Sequence, residues 1–414
     1  MLFEYFNSAA RVSALRAGPA GGLIEQFAGA LSQGGYAEIT ARRHLRAAEH
    51  FIYWTNRNGI LVHNLSERAL SRFACHLPRC RCPHFGHADR SLLHGARLFL
   101  KHLEKTGVVE VAAVPSSTPE PAMLTGFCQW MREQRGTCEK TLYLYRTYIR
   151  ELLKRLGEEP QAFDARSLRE FVIEGSQRCG WAVAKNRTTA LRMFLRFLIA
   201  EGKCAPGLEG AVPVLAHWRL SSLPRYLQPE EIERLIGSCD PLSAVGRRDR
   251  AILLLLARLG LRAGDIVQMR LQDINWREGW IRVCGKTHRE VRLPLSQEVG
   301  QALVKYLIEG RPRTHADAVF VRCRAPFDGF RSHCAVSVIV AQAFHRAAVR
   351  RPSRGAAHLL RHSAACSLLR HGATLQEVAA VLRHRSITTT EIYAKVDLRA
   401  LRQIAQPWPE VQPC

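Results

Sequence analysis

The sequence predicts a multidomain protein, mainly α-helical, with one small antiparallel sheet in its last segment. Three observations carry this. The chain has 414 residues, more than one ordinary hydrophobic core organises. Two proline-bearing stretches, Val114-Pro115-Ser116-Ser117-Thr118-Pro119-Glu120-Pro121 and residues 207–224, interrupt the pattern. Helical periodicity dominates the first two segments, and strand-like alternation appears only in the third. Hydrophobic residues at 47% and charged residues at 23% exclude a disordered chain.

Taken in order, the first segment, residues 1–113, is helical from about Leu23 to Val109. The second, 118–206, is helical as well, and 207–226 is a linker. The two helical segments read as copies of one pattern. Glu38-Ile39-Thr40 and Glu139-Lys140-Thr141 each open a long amphipathic helix. Arg97 to Leu103 with Gly107, and Arg192 to Leu198 with Gly202, close each copy at a constant offset of 95 residues. The third segment, 227–414, begins with Gln228-Pro229-Glu230-Glu231, a proline and two acids suited to a helix start. Ala251 to Leu259, apolar on nearly every side, is expected to be a buried helix. Trp280 to Val283 and Glu290 to Pro294 read as a hairpin around Gly285-Lys286-Thr287, with Val319 to Val321 a further short strand. The rest, from about Ala335 to Gln403, is expected to be helical.

Lys and Arg total 60 against 36 Asp and Glu, a formal charge of +24. An excess spread along the whole chain points to a polyanionic partner, most simply a nucleic-acid backbone. No run reaches the roughly 18 apolar residues of a membrane span, and the first residues carry scattered charge, so the expectation is a cytoplasmic protein with no membrane partner. Thirteen cysteines without an export signal read as reduced thiols. Gly285-Lys286-Thr287 is not a phosphate-binding loop, because Trp280 stands where that motif needs glycine.

One set of residues carries chemistry. Arg262 follows an apolar run in Leu259-Gly260-Leu261-Arg262-Ala263-Gly264-Asp265, and Lys286 sits in the hairpin turn. His358-Leu359-Leu360-Arg361-His362 places His358 and Arg361 on one helical face. His384 and Tyr393 follow, the latter in Ile392-Tyr393-Ala394. Cations neutralise a phosphodiester, and a phenol attacks it. In type, order and spacing these positions, from about Tyr226 to Leu401, resemble the tyrosine recombinase (phage integrase) family.

The resemblance implies a helical core-binding (SAM-like) domain, here the second segment, followed by an α+β catalytic domain. The first segment would be a possible duplicate of the core-binding domain. It further implies a site-specific DNA recombinase that cuts and rejoins duplex DNA through a 3′-phosphotyrosyl link, with neither metal nor ATP and no cofactor. Arg262, Lys286, His358, Arg361, His384 and Tyr393 would be catalytic. Asp265 stands where the family usually has glutamate and would steady Arg262 or a histidine. Arg383 departs from the family's usual glycine before His384, which leaves open whether that turn keeps a left-handed backbone. The expected partners are double-stranded DNA and three further copies in a tetramer on two synapsed sites, with related recombinases as candidate co-subunits. A type IB topoisomerase-like relaxase and a non-catalytic DNA-binding or assembly protein are the rival readings.

Arg146, Arg150 and Lys154, at i, i+4 and i+8 of one predicted helix, with Lys185, Arg187 and Arg192, are candidate DNA contacts. Cys75, Cys80, Cys82, His84 and His87 crowd together. Their spacing lacks the usual paired finger pattern, so reduced thiols are the reading and a structural zinc the alternative.

Overall fold

The structure, a computed structural model, describes residues 2–83, 90–110, 120–215, 223–284, 290–352, 355–384 and 386–406. Helices α1 (Ala9–Ala17), α2 (Gly21–Gln33), α3 (Glu38–Arg57), α4 (Glu67–His76) and α5 (Arg90–Lys105) come first. They bury Phe27, Leu45, Phe51, Phe73, Phe99, Leu100 and Leu103 in one cluster. Then come α6 (Ala122–Arg135), α7 (Glu139–Leu156), α8 (Ala165–Gln177) and α9 (Trp181–Ala200). They bury Phe127, Leu152, Leu168, Phe171, Phe194, Leu195 and Leu198.

The two sets share details that helix periodicity alone does not produce. Phe27 meets Phe99 edge-on at 5.3 Å, and Phe127 meets Phe194 edge-on at 5.4 Å. Ser66 caps α4 and Asp164 caps α8. Behind α5 and α9, Gly107 (φ 74) and Gly202 (φ 68) take the left-handed turn that only glycine adopts without strain. Val108 N–H then donates to Leu103 O at 3.0 Å, and Lys203 N–H to Leu198 O at 2.8 Å.

The last segment adds α10 (Pro229–Gly237), α11 (Ala244–Ala257) and α12 (Ala263–Gln268). Strands β1 (Ile274–Asn275), β2 (Trp280–Cys284) and β3 (Glu290–Pro294) follow, and then α13 (Gln297–Glu309), α14 (His333–Arg346) and α15 (Ala356–Arg370). The chain ends with α16 (Leu375–Val381), a 3₁₀ segment Glu391–Val396, and α17 (Leu398–Ile404). Gln228 N–H donates to Glu231 Oε2 at 2.9 Å, completing the capping box at the start of α10. Residues Ala251 to Leu256 of α11 are fully buried and form the centre of the core. The sheet runs β1-β2-β3, antiparallel throughout, with Ile281, Val283 and Leu293 facing the core.

Val319 to Val321 do not form the expected strand. Val321 makes one isolated bridge, with Gly329, and the preceding Ala318 makes another, with Arg270. The Arg311 guanidinium donates to Ala318 O at 2.9 Å and Val319 O at 3.2 Å, occupying carbonyls that a ladder would need.

Residues Met1–Val111 and Ser222–Cys414 group in one compact unit, and Ala112–Ser221 forms another. Within the first unit the apolar clusters of the two sequence segments stay separate. Gly35 (φ 72) lies against the Phe327 ring, whose Cε2 would be 2.4 Å from an added Cβ. No described helix is long and apolar enough to cross a membrane.

Candidate active site

The buried run of α11 stops at Gly260 (φ 58), where an added Cβ would lie 2.6 Å from Leu382 Cδ2. That close approach brings the turn after α11 against the turn after α16. Arg262 then caps α12, and its N–H donates to Asp265 Oδ2 at 2.8 Å. Its Nη2 donates to Arg383 O at 3.2 Å. Arg361, on α15 and 5% exposed, donates from Nη1 to Gly260 O and from Nη2 to Leu382 O. Thus both arginines grip the same backbone turn.

Arg383 occupies that turn with φ 53, so the left-handed backbone is kept although glycine is absent. Its Nη2 donates to Asp265 Oδ2 at 2.6 Å, a buried ion pair. Asp265 therefore accepts from the Arg262 backbone N–H and the Arg383 guanidinium. Arg383 Nε and Nη1 are buried without a hydrogen-bond partner among the described residues. The charge of Asp265 acts on the Arg262 and Arg361 guanidinium groups as well, but only Arg383 is paired with it directly. Burial, then repulsion from Arg262 and Arg383, pushes Arg361 down to about 9. Burial also lowers Arg262, against the pull of Asp265. Such an excess of buried cation and donor capacity is stabilised by an anion.

Tyr393, in the 3₁₀ segment, is 1% exposed. Its Oη is 2.7 Å from His362 Nδ1; with the proton on His362 Nε2, the phenol donates to Nδ1. His384 stacks parallel to the Tyr393 ring, with centroids 6.5 Å apart, and its Nδ1 is 2.7 Å from Thr390 Oγ1. Burial raises the phenol to about 12, outweighing the lowering by Arg361. In this arrangement the cations therefore do not make Tyr393 a phenolate. Burial first, and then Arg361 and Arg262, push His384 down to about 4. Burial, His358 and Arg361 lower His362. Both shifts favour the uncharged imidazole.

The Phage integrase family profile matches residues 225–399, the stretch that holds all of these groups. A Sinorhizobium fredii protein described as integrase/recombinase y4rA is 36% identical over 396 residues, 95% of either chain. The chain belongs to the phage integrase family. It is a tyrosine-type DNA recombinase. The tyrosine recombinase XerC of Pelotomaculum thermopropionicum is 30% identical to it over 303 residues, 68% of this chain and 95% of that one. A solved lambda integrase (75-356) dimer bound to a COC′ core site shares the fold, with a TM-score of 0.54 and 19% identity over 70% of this chain and 98% of that one.

In the recombinase, Arg262, Arg361, His384 and Tyr393 converge on the turns described above. His358 is exposed on α15, one turn before His362. Lys286 lies outside the described residues, between β2 and β3. His362, to which the sequence pattern assigns no role, is the group on the phenol oxygen; its spacing of four from His358 was the available signal.

Among the candidate DNA contacts, Lys154 and Lys185 are exposed, with Lys185 over the Trp181 ring at 5.0 Å. Arg150 donates to Glu120 at 3.0 Å, and Arg146 to Cys128 Sγ at 3.1 Å. Arg187 and Arg192, also candidate DNA contacts, are engaged within the bundle. Arg187 pairs with Glu151 at 2.8 Å and covers Phe171 at 4.3 Å, while Arg192 donates to Val212 O and Pro213 O. Both guanidinium groups hold their own bundle together.

Cys75 is exposed, whereas Cys80 and Cys82 are half-buried beside His50 and His76. His84 and His87 lie outside the described residues.

Proposed function

We propose that the recombinase is site-specific, cleaving and rejoining duplex DNA through a 3′-phosphotyrosyl intermediate without a metal or ATP in the reaction. The observation that carries this reading is the convergence of the Arg361 and Arg383 guanidinium groups, both nearly inaccessible, and the half-buried Arg262 on the turns beside a buried tyrosine hydroxyl, with Asp265 paired to Arg383. Arg262 and Arg361 bind the nonbridging oxygens of the scissile phosphate, and His358 and His384 donate to the same oxygens as negative charge builds. The positive charge that a metal supplies elsewhere comes here from side chains.

Tyr393 Oη attacks phosphorus, and the bond to the 5′ oxygen breaks. The phenol proton passes to His362 or His358, and Lys286 delivers a proton to the leaving 5′ oxygen. A 5′ hydroxyl of the partner strand then attacks the phosphotyrosine, and the phenol leaves. The number of ester bonds is conserved, so no nucleotide hydrolysis is needed. Because Tyr393 is buried, DNA binding must first uncover its oxygen, and the short 3₁₀ segment that carries it is the element able to turn.

DNA lies along the basic face that includes Arg146, Arg150, Lys154 and Lys185, and the charge of +24 supports that partner. The bundle of α2 to α5 is a duplicate of the bundle of α6 to α9. The protein works as a DNA-associated tetramer in the cytoplasm, and the exposed Leu398, Leu401 and Ile404 of α17 suit a contact with a neighbouring copy. The rival relaxase reading is tested with a nicked suicide duplex and a second labelled duplex sharing the captured site. Joining of strands between the two duplexes is expected. Rejoining only within the original duplex contradicts the recombinase reading.

A further inference from the structure

A cluster far along the sequence from the catalytic residues remains unexplained by DNA cleavage. His50 comes from the middle of α3, His76 from the last turn of α4, and Cys80 and Cys82 from the segment that leaves α4 through Leu77–Arg79. His50 Nε2 is 3.3 Å from Cys80 Sγ, and His76 Nε2 is 3.4 Å from Cys82 Sγ. The four ligand atoms all lie within 4.8 Å of one another. With Zn–S near 2.3 Å and Zn–N near 2.0–2.1 Å, a tetrahedron has S···N edges of about 3.6 Å and S···S edges of about 3.8 Å. The four atoms therefore already stand close to the corners of such a site.

We propose that His50, His76, Cys80 and Cys82 bind one structural zinc ion in the N-terminal bundle. Two imidazoles and two thiolates in a tetrahedral set select zinc, and four protein ligands leave no open position for catalysis. The Cys82 N–H donates to Cys80 Sγ at 3.4 Å, which stabilises charge on a thiolate ligand. Phe73 and Trp54 pack against the two imidazoles at 5.1 and 5.8 Å and exclude water from that side.

The comparison with the second bundle is informative. When the starts of α3 and α7, and the caps of α4 and α8, are aligned, His50 falls on Glu151, His76 on Glu174 and Phe73 on Phe171. There the same corner is closed by ion pairs, Glu151 with Arg187 at 2.8 Å and Glu174 with Arg155 at 2.7 Å. In the first bundle the acids are replaced by histidines, and the cysteines bring the complementary charge. The zinc ties α3 to the exit of α4, and this holds whatever reaction the C-terminal segment performs.

The test uses the full-length, tag-free protein made in zinc-supplemented medium, with zinc as the probe. Elemental mass spectrometry is expected to find about one zinc per chain, retained in Cys75→Ser and lost in Cys80→Ser and Cys82→Ser. Chelation should lower the unfolding midpoint of the N-terminal bundle. Because those variants can fail for reasons of folding, chelated wild-type protein is also titrated with cobalt(II). One equivalent should restore the midpoint and give the strong visible bands of tetrahedral cobalt with thiolate charge transfer. Zinc-free wild-type protein that gives no such bands overturns the proposal. So does full zinc occupancy in both serine variants, or a Cys80–Cys82 disulfide in protein kept from oxidants.

Discussion

The buried pair between Asp265 and Arg383 makes a double-mutant cycle decisive. Asp265→Asn keeps the shape and an acceptor for the Arg262 N–H, but it removes the carboxylate paired with Arg383 Nη2. Both side chains are nearly inaccessible, at 7% and 6%, so the guanidinium left behind cannot be rescued by water. Breaking one side of such a pair costs about 3–5 kcal/mol. Arg383→Gly removes the other side and leaves Asp265 to Arg262, so its loss is smaller. Glycine also relaxes the left-handed backbone, worth roughly 1 kcal/mol. The double variant carries neither charge of the pair, so it should be less destabilised than the sum of the two single variants, although Arg262 and Arg361 still lose the favourable charge of Asp265. The coupling is then about 2–4 kcal/mol. Urea unfolding gives each stability from midpoint and slope, and hydrogen exchange in α12 and α16 assigns the transition to this part of the chain. Additive losses, with coupling below about 0.5 kcal/mol, would refute the idea that the two residues neutralise each other.

Further expectations concern neighbouring features. Gly260→Ala forces a Cβ against Leu382 at a positive φ and should cost about 1–3 kcal/mol, with Arg361 displaced and cleavage slowed; unchanged thermal midpoint and rate contradict this. His44 and His384 are both pushed down to about 4, so the unfolded chain binds protons that the fold does not. Their stabilisation is complete above pH 6.5, is lost as pH falls toward 4, and should be reduced in His384→Gln, as urea midpoints across that window will show. Phe127→Ala removes the ring that meets Phe194 and should destabilise the Ala112–Ser221 unit by about 3–5 kcal/mol; a loss under 1 kcal/mol means that this ring is not central to the core.

The parts legible in the sequence are those fixed by local pattern. The helix start at Gln228-Pro229, the apolar run of α11 and the hairpin strands are set by neighbours within a few positions, and each formed where expected. Arg262, Arg361, His384 and Tyr393 were marked by order and type. What the sequence hid depends on rotation and on distant partners. Asp265 lies one turn from Arg262, yet its guanidinium partner is 118 positions away. His358 and His362 share a face of α15, and only the fold decides that His362 faces the phenol. Arg187 and Arg192 read as candidate DNA contacts, and the sequence did not show that tertiary packing brings Glu151 and the carbonyls of Val212 and Pro213 to them. Likewise, among the described residues, the histidines beside Cys80 and Cys82 are His50 of α3 and His76 of α4, far from the cysteines in sequence or on the preceding helix.

The central claim is that the Tyr393 oxygen displaces a DNA ester. The most direct measurement incubates the full-length recombinase with sheared genomic DNA from its source, denatures the mixture, and trims the trapped DNA with nuclease. Peptide mass spectrometry should place a 3′-linked nucleotide on Tyr393, with no adduct from Tyr393→Phe. An adduct on another residue, or an equal yield from Tyr393→Phe, contradicts the account.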